Sequence, residues 1–157
     1  MIMDELLEFA DNVSVAAVAG TALIGDVIDL GAAGENIGVG QPVYIVIRPS
    51  VEIITGGVAG TLQFKLVSDA QAAVATNGTA TEHIITVAYV TDGTDANAEE
   101  MKVGGTIMHA ALPMGQTYER YLGILAVTAT TTTTAGSIDA FLTYDPNEWK
   151  SYADATN

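Results

Sequence analysis

The sequence predicts an all-β fold, an antiparallel β-sandwich or barrel of about eight strands, and three observations predict it. Val, Ile, Thr, Tyr and Phe are abundant while the helix formers Lys, Arg, Glu and Gln are scarce. Sixteen glycines recur at intervals suited to turns between short strands. No segment carries helical periodicity over a length that could serve a βαβ crossover, which leaves the sandwich and barrel architectures. The 157 residues suit one domain, residues 1–157, and are enough to bury a full hydrophobic core.

Taken in order, the chain opens on Met1–Ala10, where acids stand in place of the basic region that begins a secretory signal. Leu6, Leu7 and Phe9 interleave there with Asp4, Glu5 and Glu8, which reads as an N-terminal arm over residues 1–12. Val13–Ala19 and Ile24–Leu30 are candidate strands, followed by a turn region, Gly31–Gly40, with four glycines. Val43–Ile47 is apolar throughout and reads as a strand covered on both sides. Gly56-Gly57 is a further turn signal. Thr61–Ser68 is the clearest strand, because Leu62, Phe64 and Leu66 alternate with Gln63 and Lys65, placing one face in the core. Ser68–Ala75, opening on a Ser/Asp cap, is expected as a short helix.

Further along, His83–Val90 and Val103–Met108 are candidate strands on either side of the acidic loop Asp92–Glu100. Tyr121–Val127 is a second wholly apolar strand. The threonine run Thr128–Ala135 reads as the tip of a long hairpin leading into Ser137–Tyr144, where Ile138, Ala140 and Leu142 face the core. Pro146–Tyr152, with proline at a first-turn position, is expected as a short helix within a C-terminal tail, residues 145–157. Strands apolar on both faces expose more hydrophobic surface than one small sandwich covers. The expectation is therefore a homo-oligomer, a dimer or trimer.

Composition also bounds function. Nineteen acidic residues against five basic ones give a net charge of −14, which repels nucleic-acid backbones and anionic lipid and favours a basic protein partner. The absence of cysteine removes disulfides and thiolate metal sites. No apolar run approaches the roughly 20 residues of a membrane span. No Gly-x-Ser-x-Gly elbow is present, no glycine run leads from a strand into a helix, and His83 and His109 stand alone near strand ends. Catalytic residues and cofactors are therefore not expected. The oxygen-bearing residues Asp92, Asp95, Asn97 and Glu99 are the one conceivable calcium set, and their spacing departs from the helix-loop-helix calcium loop. Arg120, between Tyr118 and Tyr121, is expected to pair with a carboxylate or stack on a tyrosine. Trp149 and Tyr152 are anchor types enriched at interfaces.

Several segments in sequence carry a family resemblance: Ile28–Ala32, the spacing Gly38-x-Gly40-x-Pro42-x-Tyr44, Gly60–Leu66, Leu112-Pro113, Tyr118–Gly123, and Thr134–Leu142 with Trp149 and Tyr152 behind it. In this order they resemble the jelly-roll cement (decoration) proteins of tailed bacteriophage heads, of the type known from a Bordetella podophage. The resemblance implies an antiparallel β-sandwich of jelly-roll type and a virion protein, made in the host cytoplasm, that binds the capsid exterior. It also implies the major capsid protein and further copies of itself as partners, and no catalysis. The capsid or subunit contacts expected are Asp4, Glu5, Leu6, Glu8, Phe9, Trp149 and Tyr152; Phe64, Arg120 and Tyr121 are expected to be structural. The competing readings are a carbohydrate-binding or adhesion module, which would need more aromatic surface than three phenylalanines and one tryptophan provide, and a phage tail or neck component.

Overall fold

The computed structural model describes residues 5–31, 37, 40–57, 60–91 and 99–146. They form nine strands: β1 (Glu8–Ser14), β2 (Gly20–Asp29), β3 (Tyr44–Thr55), β4 (Thr61–Asp69), β5 (Thr81–Ile85), β6 (Tyr89–Val90), β7 (Met108–Ala111), β8 (Tyr121–Ala129) and β9 (Thr133–Thr143). One antiparallel sheet has the order β1-β9-β3-β7, and the other β2-β8-β4-β5 with the short β6 also on β4. The pairing is that of a single long hairpin: β4 meets β5 at its tip, β3 meets β7, β2 meets β8, and β1 meets β9. Successive pairs fall in alternate sheets, which makes the sandwich a jelly roll.

The core lies between the sheets and is built by the alternation seen in the sequence. Leu62, Phe64 and Leu66 on β4 and Ile138 and Ala140 on β9 are fully buried, and Leu142 is nearly so. On the other face of β4, Gln63 donates to the Thr86 carbonyl, and Lys65 pairs with Glu82 at 2.5 Å. Pro49 sits in β3 beyond the last β3–β7 pair, at a register shift against β9, where a missing N–H costs little.

The apolar second face of β8 is covered by its own chain. After β4 the segment 70–80 folds over the sheet, and Val67, Val74, Ala80 and Leu125 form a second cluster joined by Leu23, Val27, Ala75 and Tyr121. No further subunit is needed to bury that face. On the outer face of the other sheet, Val46 and its register neighbour Phe141 are buried as well, apart from both clusters.

Several local expectations are corrected. The arm expected over residues 1–12 is an edge strand from Glu8 onward, because Phe9 and Ala10 enter the core and β1 pairs with β9. The strand expected from Val13 thus begins earlier and ends at Ser14. Ser68–Ala75 is not helical. The Asp69 carboxylate accepts the N–H groups of Gln71 and Ala75, so the capping signal is spent on a turn instead. Val103–Met108 is turn until β7 begins at Met108. The threonine run is no hairpin tip either. Both edges of β8 are already taken by β2 and β4, so the chain crosses to the other sheet through residues 130–132. Thr128 and Thr133 are buried on either side of this crossing. The helix expected over Pro146–Tyr152 falls outside the described residues, apart from Pro146.

Candidate interaction surfaces

The two long edges of the sandwich differ in chemistry. At one, β1 runs beside β2, and the approach depends on Gly25. Its φ is +66°, and a Cβ there would overlap the Phe9 carbonyl oxygen. The register of β2 on β8 shifts at this point, between Ile24 and Ile28. The resulting bend turns Asp26 toward β1, and a cavity of about 300 Å³ opens there, lined by Glu5, Glu8, Asp11, Asp26, Phe9, Ala10 and Val13.

Among the described residues no cation pairs with Glu5, Glu8, Asp11 or Asp26. Burial raises the Glu8 carboxyl above its ordinary pKa, and the negative charges of Asp11, Asp139 and Glu5 raise it further. Asp139 itself is neutralised by Arg48, whose Nη2 lies 3.0 Å from Oδ2, and also accepts the Asn12 N–H at 3.0 Å. Leu6, 79% exposed, stands beside this acidic edge. Of the expected contact residues, Glu5, Leu6 and Glu8 therefore gather on one surface. Phe9 does not: at 1% exposure it is a core residue, buried together with Ala10 where the β1 register on β9 shifts. Asp4, Trp149 and Tyr152 lie outside the described residues, as do Asp92, Asp95 and Asn97 of the conceivable calcium set. Glu99, its remaining member, pairs with Lys102 at 2.8 Å. Among the described residues no three acidic or histidine side chains converge as a metal site.

The opposite edge carries exposed apolar side chains. Ile85, Val87 and Val90, along β5 and β6, are 48%, 67% and 37% exposed. Thr86 interrupts the ladder between the two strands. Its hydroxyl accepts the Phe64 N–H and donates to the Val87 carbonyl, while its own N–H reaches the Phe64 carbonyl.

Two polar constellations join elements distant in sequence. Arg120 forms a bidentate pair with Asp29, Nε to Oδ1 at 2.9 Å and Nη2 to Oδ2 at 2.8 Å, and lies 4.9 Å from the Tyr121 ring centroid. Pairing and stacking thus coexist. The guanidinium and the Gly31 N–H together hold the Asp29 carboxyl down at about 2. The second constellation has no local signal in the sequence. Ser68 Oγ lies 2.8 Å from His83 Nε2, and His83 Nδ1 lies 2.8 Å from Gln116 Oε1. The His83 ring packs 4.2 Å from that of Tyr118. This resembles a nucleophile–base–orienter chain. However, Ser68 is fully buried and its Oγ already accepts the Glu119 N–H, so no substrate carbonyl reaches it. The arrangement tethers residues 113–120 to β4 and β5. Its members are 15 to 51 residues apart in the chain, which no local motif records.

No curated protein matches the chain. The Bbp16 family matches residues 13–142, a span from the end of β1 to one residue short of the end of β9 that takes in β2 to β8 entire. The chain belongs to the Bbp16 family, a Bordetella phage protein family.

Proposed function

We propose that this chain is a structural, non-enzymatic virion protein that binds the outer surface of a phage head and stabilises the lattice of the major capsid protein. Membership of a phage protein family over residues 13–142, most of the sandwich, is the observation that carries the reading. The acidic β1–β2 edge supplies the chemistry. Glu5, Glu8, Asp11 and Asp26 lie together there, on a chain of net charge −14, and that surface suits a basic face of the shell. A protein that binds only the assembled lattice stabilises it by mass action, without needing an active site. Self-association, as a dimer or trimer, belongs to the same proposal. Its support is the exposed Ile85, Val87 and Val90, on the edge opposite the β1–β2 acids, where burial against a second copy would remove apolar surface from water.

Mixing the purified protein with expanded, undecorated heads tests the reading. Expected are saturable binding and heads more resistant to heat. Association should slow substantially between 0.1 M and 1 M salt, as the screening length falls from about 10 Å to about 3 Å. Charge reversal of Glu5 and Glu8 to lysine should reproduce part of that slowing. Failure to bind heads, or binding to a tail or neck assembly instead, overturns the proposal.

A further inference from the structure

Among the described residues only two buried side-chain oxygens lack a hydrogen-bond partner, Thr91 Oγ1 and Thr131 Oγ1. Both belong to one end of the sandwich, where β3, β6 and β8 finish. Gly60 is their common neighbour. Its carbonyl accepts the Thr91 N–H, one step beyond the Thr61–Val90 pair, so Gly60 and Thr91 stand opposite each other and share a face. A Cβ on Gly60 would meet the hydroxyls of Thr131 and Thr55. The hydroxyls of Thr55, at the end of β3, and Thr131, in the β8–β9 crossing, thus lie on the side of Gly60 that the Thr91 side chain shares.

Their bonding capacity decides what they hold. Thr55 Oγ1 shares its one proton between the carbonyls of Gly57, at 3.0 Å, and Thr91, at 2.9 Å, which leaves its lone pairs free to accept. Thr91 is fully buried and Thr131 Oγ1 is shielded, and each has a proton to give as well as lone pairs to fill. A cation would satisfy lone pairs only and would leave both protons unplaced. A water molecule both donates and accepts, and buried waters typically make about three such bonds to otherwise unsatisfied groups.

We propose that this end of the sandwich binds one ordered water molecule, bridging Thr91 and Thr131 and donating to Thr55, which locks the end of β3, the end of β6 and the β8–β9 crossing together. The sign of an isosteric substitution is diagnostic. An orphaned buried hydroxyl is a liability whose removal is neutral or stabilising, whereas a hydroxyl bound to water is an asset.

The test uses the full chain with Thr91→Val, Thr131→Val and the double variant. Expected is a fall in Tm of about 2–4 °C or more for each single variant. The double variant should fall by less than the sum, because the water leaves once either partner is gone. A high-resolution crystal structure should show one solvent peak within hydrogen-bonding distance of at least two of the three hydroxyls. The proposal is overturned if Tm is unchanged or rises in the single variants, if the site holds no solvent density, or if one alkali cation raises Tm saturably and selectively, which would replace the water by an ion.

Discussion

Gly25 carries a close approach between the two sheets at the acidic edge, and its replacement by alanine offers a demanding test of the fold. Two costs are expected. At φ +66° an L-residue gives up about 1 kcal/mol relative to glycine. The added methyl would also overlap the Phe9 carbonyl and crowd the Ala10 side chain at 3.2 Å, and the atoms it meets first are backbone, which cannot rotate away. Forcing a methyl into such packing costs typically 1–3 kcal/mol, so the total is about 2–4 kcal/mol. For a chain of 157 residues this corresponds to a Tm lowered by about 5–15 °C. Gly78→Ala is the internal control. Its φ of +89° imposes comparable backbone strain, but nothing lies within 4 Å of the added methyl. Thermal unfolding of both variants, followed by circular dichroism, isolates the contact as the difference between them. If Gly25→Ala is no worse than Gly78→Ala, then β1 does not lie against the β2 bend, and the account of the acidic cavity fails with it.

Phe64→Ala should cost about 3–5 kcal/mol in denaturant unfolding, since the ring is fully buried between the sheets. Asp29 titrates at about 2 in the folded chain against an ordinary 3.8, so its stabilising contribution is complete above pH 3.8 and is lost as pH falls through about 2. Arg120→Ala should flatten the acid limb of a stability–pH curve between pH 4 and 2 and change Tm at neutral pH only slightly, because the pair is half exposed. Glu8 has the opposite sign: its raised carboxyl opposes folding once ionised, so Glu8→Gln should leave Tm unchanged or raise it at pH 7 and have no effect at pH 3. His83→Ala should release the loop at residues 113–120, read as faster hydrogen exchange of the Glu119 amide, which Ser68 otherwise holds at 3.1 Å.

The parts of this fold legible in the sequence are those fixed by one or two neighbouring residues. Period-two alternation placed Leu62, Phe64, Leu66, Ile138, Ala140 and Leu142 in the core, because side chains on a pleated strand have only two directions to point. Arg120 between tyrosines announced its stacking on Tyr121, though not that Asp29, from the neighbouring strand, would supply the carboxylate. What only the tertiary structure decided are matters of competition for space and partners. Whether Thr128–Ala135 closes a hairpin depends on whether β8 has a free edge, and β2 and β4, far away in the chain, had taken both. Whether the apolar outer face of β8 needs another subunit depends on where residues 70–80 fall, and they fall on it. The Ser68–His83–Gln116 chain, the acidic cavity and the threonine cluster around Gly60 share the same origin. Each gathers side chains from strands that become neighbours only when the long hairpin is wound into two sheets, and a linear pattern holds no record of that winding.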